Sequence, residues 1–457
     1  MNEFLKKMKI LLGDEFDAFI KNMDEPCFRG VRINTLKADK ANVIKKLPFK
    51  LTQTPFCKDG YYIDNDVERI GSHPFHHAGA MYVQEPSAMS AVTMLDVKKG
   101  DKVLDLCAAP GSKTTQIAQV LDGTGLLWSN EIVRSRANIL CSNLERMGAK
   151  NAVVSSNSPE NLCPALCGFF DKILVDAPCS GEGMFRKDKD AVGEWSPQHV
   201  LSCANRQLNI LNSAKVALKA GGELVYSTCT FSKEENEGVV TEFLNKNPEF
   251  ELIDSGENFG RNTLGYAKRI FPMDGGEGHF AAKFRKNYTP EDERPIVKDS
   301  KKTKKQNKNK AFTKADKEAY EFLNDIFESE EYKELYKVSD KVYALTDSIV
   351  ELFEYNLDFR KLCVIKTGVE VLNFNGKRYE PCHNAFTACK KDSAKNVINL
   401  DMNDERLYKF LHGEEIKLDE NIKGYTLVCV ENVPLSFGKA SKMMLKNKYP
   451  KGLRNNG

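Results

Sequence analysis

The feature that most constrains the fold is a regular alternation of short apolar runs and longer helical patterns between Lys102 and about Arg285. Six runs have the length and composition of strands. These runs are 102–107, 125–130, 151–156, 171–176, 222–227 and 279–284. Helical patterns separate them, including 133–147 and a long one for which Ser196 is a suitable N-cap and Pro197 a suitable first residue. The alternation predicts a mostly parallel α/β sheet with helices on both faces and active groups at the carboxyl ends of its strands.

The length of 457 residues exceeds what a single hydrophobic core usually supports, so we expect several domains. The predicted divisions are an N-terminal cap over 1–75, the α/β core over 76–286, a lysine-rich linker over 287–315 and a small mixed α+β region over 316–457. The N-terminus has the spacing of an amphipathic helix, and no run approaches 18 apolar residues. We therefore expect a cytoplasmic protein without membrane association.

The cysteines are numerous but are not spaced as metal ligands. There are 13 of them in the chain, and no Cys-x-x-Cys pair occurs. This usage argues against a disulfide framework and against the common zinc sites, so we expect free thiols and no metal.

A turn rich in alanine and glycine follows the first core strand, in "VLDLCAAPGSKT". Ser112 separates Gly111 from Lys113, which breaks the phosphate-loop spacing, and the single glycine does not satisfy the dinucleotide fingerprint. The remaining interpretation is a turn that binds S-adenosylmethionine, in which an acid at the end of the second strand holds the ribose hydroxyls. Glu131 stands at that position, whereas the alternative role for such an acid is to begin a helix.

Two cysteines follow predicted strands and are candidates for chemistry. Cys179 lies behind Asp-Ala-Pro in "VDAPCSGEGMF", and Cys229 lies in "YSTCTF", before a helix that Ser232 and Glu235 would open as a capping box. A nucleophilic cysteine must react as its thiolate. The residues alone leave open which of the two cysteines attacks.

Four motifs in this order carry a family resemblance: "DLCAAPGSKT", "DAPCSGEG", "RKDKDAVGEWS" and "STCTFSKEENE". With them the chain resembles the NSUN family of RNA cytosine-C5 methyltransferases, and looks most like its bacterial RsmF-like branch. The resemblance extends to "RINTLK" in the N-terminal region and to "VPLSFGK" in the C-terminal region, which looks like the PUA-like module of that branch. It implies a Rossmann-like methyltransferase core between an N-terminal RNA-binding cap and a PUA-like RNA-binding domain.

The resemblance also implies roles for individual residues. Cys229 would be the nucleophile that bonds to carbon 6 of cytosine, Cys179 would help release the product, and Asp176 with Lys113 would act at the base. The expected contacts to S-adenosylmethionine are Cys107, Ala108, Ala109, Pro110, Gly111, Ser112, Lys113, Glu131, Asn157 and Asp176. Ser112 departs from the usual glycine of the family, and Asn157 departs from the aspartate of many members.

Two basic runs favour a nucleic-acid substrate for such a site. Residues 298–314 contain eight lysines and one acid, and the last 23 residues contain six basic residues and no acid, with Phe437 and Tyr449 among them. Arg186, Lys187 and Trp195 are further candidates for RNA contact, with a core role as the alternative for Trp195. We expect a monomeric enzyme that methylates 16S rRNA in a small ribosomal subunit or an assembly particle. The alternatives are a tRNA methyltransferase, a DNA cytosine or amino-group methyltransferase and a ribosome-assembly factor that binds RNA without catalysis.

Overall fold

The computed structural model of the chain describes residues 2–288, 312–355 and 357–454. Most of the predicted lysine-rich linker lies outside these ranges. Within them, no helix has both the length and the apolar character that crossing a membrane requires.

The N-terminal region folds as short helices around a four-stranded antiparallel sheet in the order β2-β3-β1-β4. Its helices are α1 (Asn2–Leu12), α2 (Phe16–Asp24), α3 (Lys40–Lys46), α4 (Pro74–His77) and α5 (Ser90–Leu95), and its strands are β1 (Arg29–Ile33), β2 (Leu51–Gln53), β3 (Gly60–Ile63) and β4 (Met81–Val83). The amphipathic pattern at the N-terminus corresponds to α1 and α2, which bury Phe4 and Phe19. Both rings pack in one cluster with Phe185, Phe231 and Phe271 of the core, so the first two helices are fixed against the loops that follow β8 and β9.

The core begins after α5. Its strands are β5 (Lys102–Asp105), β6 (Leu126–Asn130), β7 (Ala152–Ser155), β8 (Phe170–Asp176), β9 (Leu218–Thr228), β10 (Phe250–Leu252), β11 (Arg261–Thr263), β12 (Ala267–Ile270) and β13 (His279–Lys286). Its helices are α6 (Ser112–Leu121), α7 (Arg134–Arg146), α8 (Pro159–Ala165), α9 (Lys189–Glu194), α10 (Pro197–Ala217) and α11 (Glu237–Lys246).

The C-terminal region contains the remaining elements. Its strands are β14 (Thr313–Lys314), β15 (Leu335–Val338), β16 (Lys341–Ala344), β17 (Val364–Thr367), β18 (Val369–Phe374), β19 (Tyr379–Pro381), β20 (Val397–Leu400), β21 (Ile416–Lys417), β22 (Gly424–Val430), β23 (Val433–Ser441) and β24 (Met444–Asn447). Its helices are α12 (Lys317–Asn324), α13 (Asp347–Val350), α14 (His383–Ala388) and α15 (Glu405–His412). Most of these strands form two sheets, in the orders β14-β15-β16-β18-β19 and β20-β22-β23-β24-β21.

The central sheet has ten strands, and β9, β8, β5, β6 and β7 are its parallel centre. The predicted Rossmann-like α/β core is therefore confirmed. Strands β13, β12 and β11 extend the sheet beyond β9, each antiparallel to its neighbour. Strand β17 of the C-terminal region pairs with β7 at the other edge, so the two regions share a sheet.

Helices cover both faces of the central sheet. Successive strand residues point to opposite faces, so each strand buries side chains against both layers of helices. Trp128 of β6 is buried on the face that α8, α10 and α11 cover, whereas its neighbour Leu127 is buried among α5, α6 and α7. Each such side chain contributes roughly 1.5–3 kcal/mol through burial. The packing fixes the carboxyl ends of the strands relative to one another.

Two helix starts test the sequence analysis. Ser196 caps α10 as predicted, since its side chain accepts a hydrogen bond from the backbone N–H of His199 at 3.1 Å. The capping box predicted for Ser232 and Glu235 is wrong, because α11 begins later, at Glu237. The carboxylate of Glu235 accepts hydrogen bonds from distant residues instead, which compete better than the local backbone.

Candidate active site

A cavity of about 520 Å³ opens at the carboxyl ends of β5, β6, β8 and β9. Six of the predicted site residues line it: Cys107, Ala109, Glu131, Asp176, Cys179 and Cys229. They come from four separate strand ends, and the parallel order of the sheet brings them together.

The turn between β5 and α6 has a conformation that depends on glycine. Gly111 caps α6 with a φ of 114°, which lies in the region that side chains disfavour. Asn143 of α7 donates a hydrogen bond to the carbonyl of Pro110 at 2.8 Å and so holds the turn in place. Ser112, where the family usually has glycine, is half-buried as the first residue of α6, so the turn accepts its side chain.

Glu131 is buried at the end of β6 and faces the cavity. One carboxylate oxygen accepts a hydrogen bond from the backbone N–H of Val133 at 3.0 Å, and the other lies 3.4 Å from the guanidinium of Arg136. These contacts fix the carboxylate at one end of the cavity.

Asn157 stands apart from the other predicted site residues. It is not among the residues that line the cavity, and its side-chain amide donates a hydrogen bond to the carbonyl of Lys361 at 3.4 Å. Asn130 lines the cavity instead, and its amide donates to the carbonyl of Asn157 at 2.9 Å. The expected contact between Asn157 and a cofactor stays a prediction.

Lys113 and Asp176 form an ion pair beside the cysteines. The Nζ atom of Lys113 lies 2.8 Å from Oδ2 of Asp176, and the hydroxyl of Ser227 donates to Oδ1 at 2.7 Å. Burial raises the pKa of the Asp176 carboxyl. The charge of Lys113 and the hydrogen bonds from Lys113 and Ser227 lower it by more than burial raises it, so the pKa lies below its usual value. Asp176 is therefore an anion next to an ammonium group at neutral pH.

The two candidate cysteines are neighbours in space. Their Sγ atoms lie 3.3 Å apart, and both are free thiols. The hydrogen bond to Cys229 and burial raise the pKa of Cys179 well above its usual value. Cys179 therefore holds its proton at neutral pH, and either sulfur can be the donor in the contact between the two thiols.

A buried carboxylate holds the loop of Cys229. Glu182 accepts hydrogen bonds from the hydroxyl of Thr230 at 2.9 Å and from the backbone N–H of Phe231 at 3.0 Å. The backbone N–H of Gly183 also donates to the carbonyl of Cys229 at 2.8 Å. The loops after β8 and β9 are thus joined at the Cys229 carbonyl and at the two residues that follow it.

Two of the residues considered for RNA contact are used inside the protein. The guanidinium of Arg186 binds both carboxylate oxygens of Glu277, at 2.8 and 2.9 Å, and its side chain is only 6% exposed. Trp195 donates to Glu182 at 2.8 Å and packs against Phe4, which agrees with the alternative core role. The sequence could not reveal these partners because they come from distant segments.

His279 lies beside the ion pair of Lys113 and Asp176. It is two residues from Ala281, which pairs with Ser227, so its side chain is on the face of the sheet that carries the Ser227 hydroxyl. Burial and the charge of Lys113 lower its pKa to about 4, and Nε2 has no hydrogen-bond partner among the described residues. The imidazole is therefore neutral at physiological pH.

The sequence analysis missed the apolar walls of the cavity. Ile132, Val133, Pro159 and Ile210 line it together with the charged Arg206. A signal for Ile132 was available in the sequence, because it directly follows Glu131 beyond the end of β6 and so lies at the same edge of the sheet. Within the described residues, no three His, Cys, Asp or Glu side chains form a group that could hold a metal ion.

Family models match three parts of the chain. Residues 92–285 match the 16S rRNA methyltransferase RsmB/F model, residues 1–86 the N-terminal domain of 16S rRNA methyltransferase RsmF, and residues 397–455 the PUA domain of methyltransferase RsmF. The last match confirms the predicted PUA-like domain, which contains the sheet from β20 to β24.

Similar proteins cover nearly the whole chain. The ribosomal RNA small subunit methyltransferase F of Vibrio parahaemolyticus is 33% identical, over 98% of this chain and 96% of its own length. The protein of that name from Shewanella oneidensis is also 33% identical, over 96% and 93%. A methyltransferase homologue from Pyrococcus horikoshii of known structure is 31% identical, with a TM-score of 0.54 over 63% of this chain and 95% of its own. The NSun6 structure from the same organism shares the fold, with a TM-score of 0.56 at 24% identity over 62% and 98%.

Proposed function

This chain belongs to the 16S rRNA methyltransferase RsmB/F family, and from that membership we propose that it forms 5-methylcytosine in 16S rRNA with S-adenosylmethionine as methyl donor. The reaction would pass through a covalent bond between Cys229 and carbon 6 of the cytosine. The observation that carries this proposal is the pair of thiols 3.3 Å apart beside the ion pair of Lys113 and Asp176.

The cavity residues fit the proposed cofactor. Glu131 presents a fixed carboxylate, which suits the two adjacent hydroxyls of a ribose, and the turn at Cys107 and Ala109 brings backbone close to a ligand. Ile132 and Pro159 supply apolar surface for an adenine ring. When bound, S-adenosylmethionine supplies an electrophilic methyl group at the end of the cavity where the cysteines lie.

A thiolate nucleophile meets the main chemical demand of the reaction. Carbon 5 of cytosine is a weak nucleophile, but addition of a thiolate to carbon 6 converts the ring to an enamine whose carbon 5 can attack a methyl group. The raised pKa of Cys179 disfavours a thiolate on that sulfur, and the family resemblance implies Cys229 as the nucleophile. We therefore assign the attack to Cys229.

The ion pair suits the charge that develops on the base. Attack at carbon 6 pushes electrons toward N3 and O2 of the ring, and the ammonium of Lys113 can stabilise that charge. The Asp176 carboxylate can accept a hydrogen bond from the amino group on carbon 4, which distinguishes cytosine from uracil. His279 is a neutral imidazole, so it adds no second positive charge beside the ion pair.

Product release needs a base near carbon 5. Removal of the proton from carbon 5 returns the bond electrons to the C5–C6 double bond, and Cys229 leaves carbon 6 as a thiolate. Once Cys229 is bonded to carbon 6 it no longer carries the negative charge that raises the pKa of Cys179. Cys179 can then lose its own proton to solvent, and the resulting thiolate, directly or through water, can accept the proton from carbon 5.

The experiment that tests the chemistry follows the covalent adduct. With Cys179→Ala, release is blocked and an RNA–protein adduct should accumulate on a denaturing gel, whereas Cys229→Ala should give none. The reverse pattern would overturn the assignment of the nucleophile. Bisulfite sequencing of 16S rRNA and tRNA from a deletion strain tests the substrate, and unchanged cytosines in both would favour a binding protein without catalysis.

The C-terminal region would supply RNA affinity, as its PUA match suggests. The last basic run includes the exposed residues Lys439, Lys442, Lys446 and Lys448. Its two aromatic residues, Phe437 and Tyr449, are buried inside the protein. Basic side chains on this surface suit contacts with phosphates rather than with bases. The target cytosine must leave its stack to reach Cys229, so we propose an accessible loop or an assembly particle as substrate of a monomeric, cytoplasmic enzyme.

A further inference from the structure

Glu235 is a completely buried acid that the proposed mechanism does not use. Its carboxylate accepts hydrogen bonds from the backbone N–H of Ser180 at 3.0 Å and from the side-chain amide of Gln207 at 2.8 Å. The hydroxyl of Ser180 also donates to it in a close contact. Ser180 is the residue after Cys179, so Glu235 holds the backbone of one catalytic loop directly.

The turn that carries Cys179 is held on both sides by the same pair of residues. Gln207 of α10 donates to the carbonyl of Pro178 at 3.0 Å, and Glu235 accepts from the N–H of Ser180. The Ser180 hydroxyl also lies 2.9 Å from that of Thr230, the residue after Cys229. Glu235 therefore stands at the junction of the two loops whose thiols lie 3.3 Å apart.

The contacts favour a charged carboxylate. Burial raises the pKa of the Glu235 carboxyl, whereas hydrogen bonds from Ser180 and Gln207 lower it and so favour the ionised form. Among the described residues these hydrogen-bond donors are uncharged, so they leave the negative charge of the carboxylate in place. That charge raises the pKa of Cys179, whereas the charge of Asp176 is offset by the ammonium of Lys113. A second negative charge, on the sulfur of Cys179, is therefore unfavourable.

We propose that Glu235 is a positioning residue that fixes the Cys179 turn and, through its negative charge, keeps the thiolate on Cys229 instead of Cys179. The catalytic meaning of this role rests on the proposed function, but the charge distribution between the two sulfurs does not. Other groups near Cys179 are Cys229 itself, the neutral Tyr226, the ion pair of Lys113 and Asp176 and, across the cavity, Arg206. Glu235 is the unpaired anion among them.

Thiol alkylation measures this distribution without RNA. The full-length protein is treated briefly with limiting iodoacetamide at neutral pH, and mass spectrometry gives the ratio of carbamidomethylation at Cys179 to that at Cys229. The wild-type protein should react mainly at Cys229. In Glu235→Gln, the ratio should rise about tenfold, the effect of one pKa unit between the two thiols. An unchanged ratio would overturn the proposal.

Two further variants separate charge from packing. Glu234→Gln makes the same change at the neighbouring residue, whose carboxylate binds Lys7 and Ser232 and not the Cys179 turn, and should leave the ratio within about twofold of wild type. Glu235→Asp keeps the charge and should also stay within about twofold. A shift in Glu235→Asp as large as that expected for Glu235→Gln would show that packing controls the ratio, and an equal shift in Glu234→Gln would show that the charge of Glu235 has no specific effect. Either result would overturn the proposal, even if Glu235→Gln itself does not fold.

The alkylation result and the RNA adduct are independent. A ratio that shifts in Glu235→Gln while no variant forms an adduct with RNA would support the role of Glu235 and refute the proposed chemistry. An adduct that accumulates in Cys179→Ala, with an alkylation ratio that stays constant in Glu235→Gln, would support the proposed chemistry and refute the role of Glu235.

Discussion

Gly183→Ala should slow methyl transfer because the loop of Cys229 has no room for a methyl group at this position. An added Cβ would lie 2.7 Å from the carbonyl oxygen of Cys229 and 3.0 Å from that of Gly278. Both obstacles are backbone atoms, so the Cys229 carbonyl must retreat by about 0.3 Å to restore 3.0 Å and by about 0.7 Å to reach 3.4 Å. The hydrogen bond from Gly183 to that carbonyl, 2.8 Å long, lengthens with it.

The size of the effect follows from this displacement. A shift of about 1 Å at a reacting group costs about 10²-fold in rate, so a shift of half that size should lower kcat about tenfold. Overpacking should also cost about 1–3 kcal/mol of unfolding free energy. The assay is transfer of a labelled methyl group to 16S rRNA or a transcript of it, with stability followed by urea unfolding.

Gly193→Ala is the matched control, since nothing lies within 4 Å of its added Cβ and it sits in α9 of the segment that follows the Cys179 turn. Alanine is the better helix former, so this variant should keep wild-type activity and unfold at an equal or slightly higher urea concentration. Wild-type kcat in Gly183→Ala would refute the argument that the packing at Gly183 sets the position of Cys229.

Three other measurements test separate parts of the structure. Lys113→Met should reduce kcat/KM at least about 10²-fold, and, because Lys113 lowers the pKa of Asp176, it should move the acidic limb of the pH–rate profile to higher pH. Burial lowers the pKa of His383 to about 3. The folded state therefore binds fewer protons than the unfolded state around and below pH 6.5, so the free energy of unfolding should decrease as the pH falls. In His383→Phe this decrease should be smaller by about 1 kcal/mol between pH 6.5 and 5.5, as measured by urea unfolding. Alanine at both Lys446 and Lys448 should lower the salt dependence of RNA binding by about 1–2 in the log–log slope, and an unchanged slope would exclude phosphate contacts there.

The core strands were predictable because they are short apolar runs between helices. The run at 125–130 corresponds to β6, and that at 279–284 to β13. β17 was not predictable as part of the central sheet, because the segment Val364–Thr367 has no local signal that says which sheet it joins. Its place depends on packing against β7, more than 200 residues earlier in the chain.

The positions of the site residues were predictable where a strand ends in them. Glu131, Asp176 and Cys229 each follow a parallel strand, so the sheet determines that they meet at one edge. Asn157 also follows a strand, but its side chain donates to the carbonyl of Lys361 in the C-terminal region. The position of a residue in a strand thus predicts the edge of the sheet at which it lies. The direction of its side chain also depends on hydrogen-bond partners from distant segments of the chain.

The spacing of the two thiols shows why the most important distance in the site was beyond sequence reasoning. Cys179 and Cys229 lie on loops 50 residues apart in the chain, and no local sequence pattern shows which residues hold the two loops together. Glu182 and Glu235 do so by accepting hydrogen bonds from the opposite loop, Glu182 from Thr230 and Glu235 from Ser180. Glu182 directly follows a glycine and Glu235 lies two residues before a helix, so each resembles an ordinary surface acid in sequence. Only their burial shows that they join the two loops. The proposed chemistry therefore depends on these two carboxylates as well as on the sulfur atoms that they hold together.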